Sequence, residues 1–297
     1  MISLDDFTNS FERKNFQRCF EEVAGFCLSE AEEQPFEIFH NYIFYDGAIL
    51  TWKAEKKNEL WYQILMDGIL GSVYSSFACV RYHENRAKNI ENGVYDCFER
   101  SGVKEQMGNI FSGGGNTFAL DFEYQAYILA YRRCLDYLSR ALAAYFKNKH
   151  NSFRRLPKLL EKVKPYSVSS ALSEVISSHL KNFEFVLSDK NESSLRDRIA
   201  HYEFVRAGIL NFSARGVFFT AGGEGLPGAD NPLPLHEILS SRSNNLFLCI
   251  SQLLSVFVAE VKSYESSRQK DEGTGGIKFD HPSAASSLTK NASSNPF

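Results

Sequence analysis

The sequence predicts a mainly α fold: an antiparallel helical bundle with a small β-hairpin excursion, preceded by a mixed or helical N-terminal region. Three apolar stripes carry this prediction. The first runs Leu120, Tyr124, Tyr127, Ile128, Tyr131, Leu135, Leu138, Leu142 and Tyr145. The second runs Val168, Leu172, Val175, Ile176, Leu180, Phe183 and Leu187, and the third Leu246, Ile250, Leu253, Leu254, Phe257, Val261 and Tyr264. Steps of three and four place each set on one side of a helix, and such stripes are buried only by packing on one another.

The remaining elements follow in chain order. Phe7, Phe11, Phe16, Phe20 and Val23 give Leu4 to Leu28 a near-helical spacing. Pro35 is expected to interrupt, and the aromatic stretch Phe36 to Trp52 reads as a strand or as a buried helix. Leu60 to Arg81 is again helical in pattern, and the glutamates near Glu21, Glu22, Glu30, Glu32 and Glu33 read as an exposed helix face. A break at Ser112-Gly113-Gly114-Gly115-Asn116-Thr117 suits a flexible connection. The expected division is therefore an N-terminal region over 1–112, a helical domain over 113–265 and a disordered tail over 266–297, where Ser, Gly, Asn, Lys and Pro dominate. Between the second and third stripes a short helix is expected from Ser194 to about Arg206. An apolar stretch from Ile209 to Thr220 then turns at Ala214-Arg215-Gly216, as a hairpin would, before a Gly- and Pro-rich loop over Ala221 to Pro234.

Composition narrows the function classes. A hydrophobic share of 43%, a charged share of 23% and a net charge of −3 describe a globular chain that is no polycation. Local basic patches still leave room for a nucleic-acid partner. The 25 phenylalanines and 14 tyrosines make large apolar side chains the main source of burial. Cys19, Cys27, Cys79, Cys97, Cys134 and Cys249 are scattered without metal-ligand spacing, and are expected to be reduced thiols in a reducing compartment. The acidic start Met1-Ile2-Ser3-Leu4-Asp5-Asp6 is unlike a signal peptide, and the apolar window Ile64 to Val80 is too short and polar to span a bilayer. The expectation is a cytoplasmic protein without a membrane partner. His40, His83, His150, His179 and His236 show no ligand spacing, and neither a Gly-x-Ser-x-Gly elbow nor a His-Glu-x-x-His motif occurs.

The informative stretch is Ser193-Ser194-Leu195-Arg196-Asp197-Arg198-Ile199-Ala200-His201-Tyr202. Ser194 followed by Asp197 three residues later is a capping-box signal that starts the short helix at Ser194. On a helical wheel Leu195, Ile199, Tyr202 and the stem of Arg206 share the face that packs inward, while Asp197 and His201 share the other, beside Phe204. Arg196 lies about 140° from His201, so a site using both is more easily completed by a second copy of the chain.

Arg196-Asp197-x-x-x-His201 resembles the signature of the HEPN superfamily, an Arg, a polar residue, three further residues and a His. Its setting, a long helical pair, the motif opening the next helix and a closing helix, is also similar over roughly Phe118 to Tyr264. The resemblance implies a HEPN-like bundle and a metal-independent endoribonuclease that needs no cofactor, acts as a homodimer, and belongs to toxin–antitoxin or antiviral systems, with an antitoxin or other regulatory protein as a further partner. It also implies catalytic roles. His201 would exchange protons with the ribose 2′-hydroxyl or the leaving 5′-oxygen, Arg196 would hold the scissile phosphate, and Asp197 would orient the imidazole. Tyr202 and Glu203 depart from members that carry a Tyr two residues after the His. The alternative is a non-catalytic helical module that binds a nucleotide or a protein.

Two further signals have two readings each. Lys147, Lys149, Arg154, Arg155, Lys158, Lys162 and Lys164 face a single acid, Glu161. Arg154, Arg155 and Lys158 are the candidate RNA-backbone contacts within this run, which otherwise serves as a solvated connector. The glycine triplet is a flexible joint or a phosphate cradle without the Lys of a P-loop.

Overall fold

The computed structural model describes residues 24–45, 58–102, 110–112, 117–187, 194–201, 203–213, 218–221, 223–226 and 233–274. Among these the fold is mainly α, as predicted. Helix α1 spans Glu30–Phe44 and α2 Glu59–Met66. A π-helical segment, Asp67–Val73, joins α2 to α3, Tyr74–Arg100. The long helix α4, Phe118–Tyr145, is the axis of the bundle. A 3-10 turn (Phe153–Arg155), α5 (Leu156–Leu160) and α6 (Tyr166–His179) follow, then α7 (Leu195–His201) and α8 (Leu235–Thr274).

Helix α4 packs against α2, the π-helical segment and α3, while α8 packs against α1, α3 and α6. The buried stripe of α4 runs from Leu120 through Tyr127, Tyr131 and Leu138 to Tyr145, as the three-and-four spacing requires. Its tyrosine hydroxyls are satisfied by donating to backbone oxygens: Tyr124 to Glu224 at 2.6 Å, Tyr127 to Leu239 at 3.0 Å and Tyr131 to Arg242 at 3.0 Å. These bonds tie α4 to the start of α8 and to the loop before it.

The hairpin is present. β2 (Ile209–Ser213) pairs antiparallel with β3 (Phe218–Ala221), so that Leu210 faces Thr220, and its turn residues Ala214, Arg215 and Gly216 lie outside the described residues. A third short strand, β1 (Ile110–Ser112), pairs antiparallel with the other edge of β2, a partner that periodicity had not indicated.

Several expectations are corrected. Pro35 does not interrupt; it lies inside α1. The Ser29 hydroxyl and backbone N–H both donate to Glu32, at 2.7 and 3.0 Å, which starts the helix upstream, and the buried stripe Phe36, Phe39, Tyr42 and Ile43 offsets the bond that proline omits. This settles residues up to Phe44 of the Phe36–Trp52 stretch as buried helix; residues 46–57 lie outside the described ones, as does Leu4 up to Val23. Glu32 is buried and paired with Arg81 rather than solvated. Among the described cysteines all are free, but Cys27 and Cys97 are exposed and only Cys134 and Cys249 are buried.

The division expected at residue 112 does not separate two cores. A single cluster of buried side chains runs from Leu28 and Phe39 through Phe77 and Tyr131 to Val261. The tail expected from 266 begins as the last turns of α8, which continues to Thr274, and residues 275–297 lie outside the described ones. The stretches Glu59–Arg100 and Leu235–Ser267 are long and apolar enough to cross a membrane by length and composition, unlike the shorter window Ile64 to Val80. Their most apolar residues, Ile69, Val73 and Phe77 on one and Ile250, Leu254 and Phe257 on the other, line the shared core.

Candidate functional site

The short helix α7 sits beside the N-terminal half of α4, fixed at both ends. Ser194 caps it: its hydroxyl accepts from the Asp197 N–H at 3.1 Å and donates to Asp197 Oδ2 at 2.8 Å, the geometry that the Ser-x-x-Asp spacing predicts. Leu195 is buried and Ile199 packs on the core. The helix ends at His201, shorter than the expected reach to Arg206. Two contacts explain the early end. The buried carboxylate of Asp121 on α4 accepts the Ala207 N–H at 2.7 Å, and the Arg198 guanidinium bridges Glu203 and Glu224. Both hold Glu203–Gly208 in a non-helical path. Gly223 permits the close return of the chain, because a Cβ there would lie 2.3 Å from the Ala207 carbonyl oxygen.

No family model, no curated protein and no solved structure matches the chain. The site therefore rests on its own geometry.

Arg196 and Asp197 come together. The guanidinium donates from Nη1 to Asp197 Oδ1 at 2.8 Å, with both side chains about one-third exposed. The same arginine is felt by Asp136 on α4, whose carboxyl burial pushes up while the charges of Arg132 and Arg196 pull it down; burial wins. Arg132 binds both oxygens of Asp136, at 3.0 and 3.1 Å, and donates to the Val186 carbonyl at 2.9 Å. Arg196 thus extends an alternating row of charges, Arg132, Asp136, Arg196 and Asp197. Asp197, the residue expected to orient His201, bonds to Ser194 and to Arg196 and so holds the guanidinium as well.

His201 ends α7 and is exposed. The residues between it and Arg196 are helical, so the two side chains leave the axis about 140° apart, and this helix alone does not bring them to one point. Tyr202 lies outside the described residues. Beside His201, Phe204 forms an aromatic triad with Phe118 and Phe122 of α4. Its ring is 5.8 and 6.0 Å from theirs and nearly perpendicular to both. All three are exposed, at 47%, 46% and 58%. Three large apolar rings are left in solvent next to the motif, a patch that the sequence flagged only at Phe204.

Arg155 and Lys158, on the 3-10 turn and α5, are exposed, and Arg154 is half-buried. The chain turns back after α4: the Phe153 ring, beside Arg154, lies 5.7 Å from Phe183, itself 5.9 Å from Tyr131, so the basic segment returns along α4. Among the described residues no three His, Cys, Asp or Glu side chains are grouped to hold a metal ion.

Proposed function

We propose that this chain is a metal-independent endoribonuclease of the HEPN type, acting on RNA as a homodimer in the cytoplasm as a toxin or defence effector under an antitoxin or other regulatory protein. The observation that carries the reading is the capped α7 helix, which presents a paired Arg196–Asp197 and an exposed His201 beside three exposed phenylalanines. In the reaction the ribose 2′-oxygen bonds to phosphorus, the bond from phosphorus to the 5′-oxygen breaks, and a 2′,3′-cyclic phosphate and a 5′-hydroxyl result. The 2′-hydroxyl proton passes to one His201, and the His201 of a second copy gives a proton to the 5′-oxygen. Arg196 holds the phosphate: a guanidinium has five N–H donors, and the Asp197 bond uses one nitrogen. The 140° divergence along α7 supports a site shared between two copies, with the Phe118, Phe122 and Phe204 triad as the meeting surface.

The test is RNA cleavage by purified protein in excess chelator. His201→Ala and Arg196→Ala should each slow it by roughly 100-fold or more, the usual worth of a general acid–base or phosphate-stabilising group. Equal cleavage by both variants and wild type would refute the site. One observation favours a second reading, a non-catalytic module that binds a nucleotide or a protein: Arg196 is already compensated by Asp197 and faces Asp136. RNA binding without any cleavage, unaffected by His201→Ala, would select it.

A further inference from the structure

Three adjoining clefts form one groove along the outward face of α4, away from its tyrosine ladder. The first, of about 380 Å³, is lined by Trp61, Ile64, Arg140 and Lys149 among others. The second, of about 260 Å³, shares Ile64 and Arg140 with it and adds Asp67 and Tyr137. The third, of about 470 Å³, shares Ser72 and Tyr137 with the second and adds Arg133 and Ser75. One wall is α4; the other is α2, the π-helical segment and the start of α3. The walls meet at Gly68, where a Cβ would lie 2.7 Å from the Ala141 Cβ.

The groove is cationic. Arg133, Arg140 and Lys149 are exposed along it and carry no ion pair with any described residue, against the single carboxylate of Asp67. Arg133 and Arg140 stand seven residues apart, two turns or roughly 10 Å along one face. Lys149 is placed by the end of α4. There Lys147 adopts a left-handed φ of 55°, and its N–H and that of Asn148 close back on Ala144 and Ala143, turning the chain across the groove. Between the cations lie two aromatic side chains, Trp61 and Tyr137, both half-buried. Cations at intervals with aromatic faces between them suit a flexible polyanion whose units carry flat rings.

We propose that this groove binds single-stranded RNA, the phosphates on Arg133, Arg140 and Lys149 and the bases against Trp61 and Tyr137. The choice of RNA rests on the ribonuclease reading; the groove itself does not. The ten-residue step from Ala130 to Arg140 covers roughly 15 Å, room for about four stacked nucleotides at ~3.4 Å each. Asp136, whose carboxyl feels the charge of Arg196, lies on α4 between Arg133 and Arg140. The end that holds Arg140 also holds Lys149 and His150, which precede Arg154, Arg155 and Lys158 in the chain.

The probe is a fluorescent twelve-nucleotide single-stranded RNA fully 2′-O-methylated, which blocks cleavage through the 2′-oxygen and so reads binding alone. Its anisotropy is titrated with wild type and with the triple variant Arg133→Glu, Arg140→Glu, Lys149→Glu, whose exposed sites should leave the melting temperature unchanged. Removing about three phosphate contacts should lower the slope of log affinity against log salt by ~2 and weaken binding at least ~10-fold at low salt. A second variant, Trp61→Phe, should reduce the quenching of tryptophan emission by the oligomer. Unchanged affinity and slope in a folded triple variant would overturn the proposal. So would polyglutamate competing as well as RNA, which would assign the groove to an acidic protein. Groove-dependent binding without any cleavage of unmodified RNA upholds the groove and sinks only the ribonuclease reading.

Discussion

Replacing Glu91 should cost more stability than replacing any exposed charge in this protein. Glu91 sits on α3 with no exposed surface, yet its carboxylate caps α8 from 144 residues away in sequence. It accepts the backbone N–H of Leu235 and of His236, each at 2.8 Å, and contacts His236 Nδ1 at 2.7 Å. The first N–H groups of a helix have no partner within it, so this carboxylate satisfies donors that are otherwise buried and unpaired. Alanine removes three bonds to a charged acceptor and leaves buried donors behind, a loss of roughly 3–5 kcal/mol. Glutamine keeps one acceptor oxygen but turns an amide N–H toward a donor, a loss of roughly 1–3 kcal/mol. At ~2–4 °C per kcal/mol for a chain of this size, the alanine variant should melt roughly 6–20 °C below wild type. Thermal and urea unfolding followed by circular dichroism measure both variants. An alanine variant as stable as wild type would refute the claim that Glu91 anchors α8.

Three further outcomes follow from particular contacts. Gly68→Ala should destabilise by ~1–3 kcal/mol in urea unfolding, because the new methyl meets the Ala141 Cβ at 2.7 Å between two helices that cannot part freely. His83 is half-buried. Burial lowers its pKa, but hydrogen bonds to Cys79 and Glu123 and the attraction of their charges outweigh burial, so the net shift is upward. A raised histidine stabilises fully below its unfolded value of about 6.5 and loses that contribution as pH rises through the folded value. The melting difference between wild type and His83→Gln should therefore be larger at pH 5.5 than at pH 8.5; an equal or reversed difference would contradict the pairing with Glu123 at 2.7 Å. On the dimer reading, Phe204→Glu should convert the protein to a monomer in sedimentation at micromolar concentration, and a persisting dimer would move the interface elsewhere.

The long helices were legible because period is a local property. The stripes on α4, α6 and α8 are buried almost residue for residue, and the cap at Ser194 formed as its spacing predicted. What escaped depends on distant partners. Pro35 reads as a break until the Ser29 capping box and the Phe36–Phe39 burial are weighed together. Nothing near Ser194 announces that Asp121 captures the Ala207 N–H and shortens α7. β1 has three residues and no period of its own. At the site, the Arg-Asp pairing follows from adjacency, whereas the Phe118, Phe122 and Phe204 triad joins segments more than eighty residues apart. Of the groove cations, Lys149 belongs to the dense run Lys147–Lys164, whereas Arg133 and Arg140 were missed because they stand outside it. A seven-residue repeat of arginines on the polar face of α4 was the available signal.

The chemistry of the RNA ends tests the ribonuclease reading most directly. A 5′-labelled single-stranded RNA is incubated with wild type and with His201→Ala in excess chelator, and the product termini are identified by mass spectrometry. Wild type should yield 2′,3′-cyclic phosphate and 5′-hydroxyl ends, and His201→Ala almost none. Products ending in 3′-hydroxyl and 5′-phosphate, or the same yield from both proteins, would contradict the assignment of Arg196 and His201 to RNA cleavage.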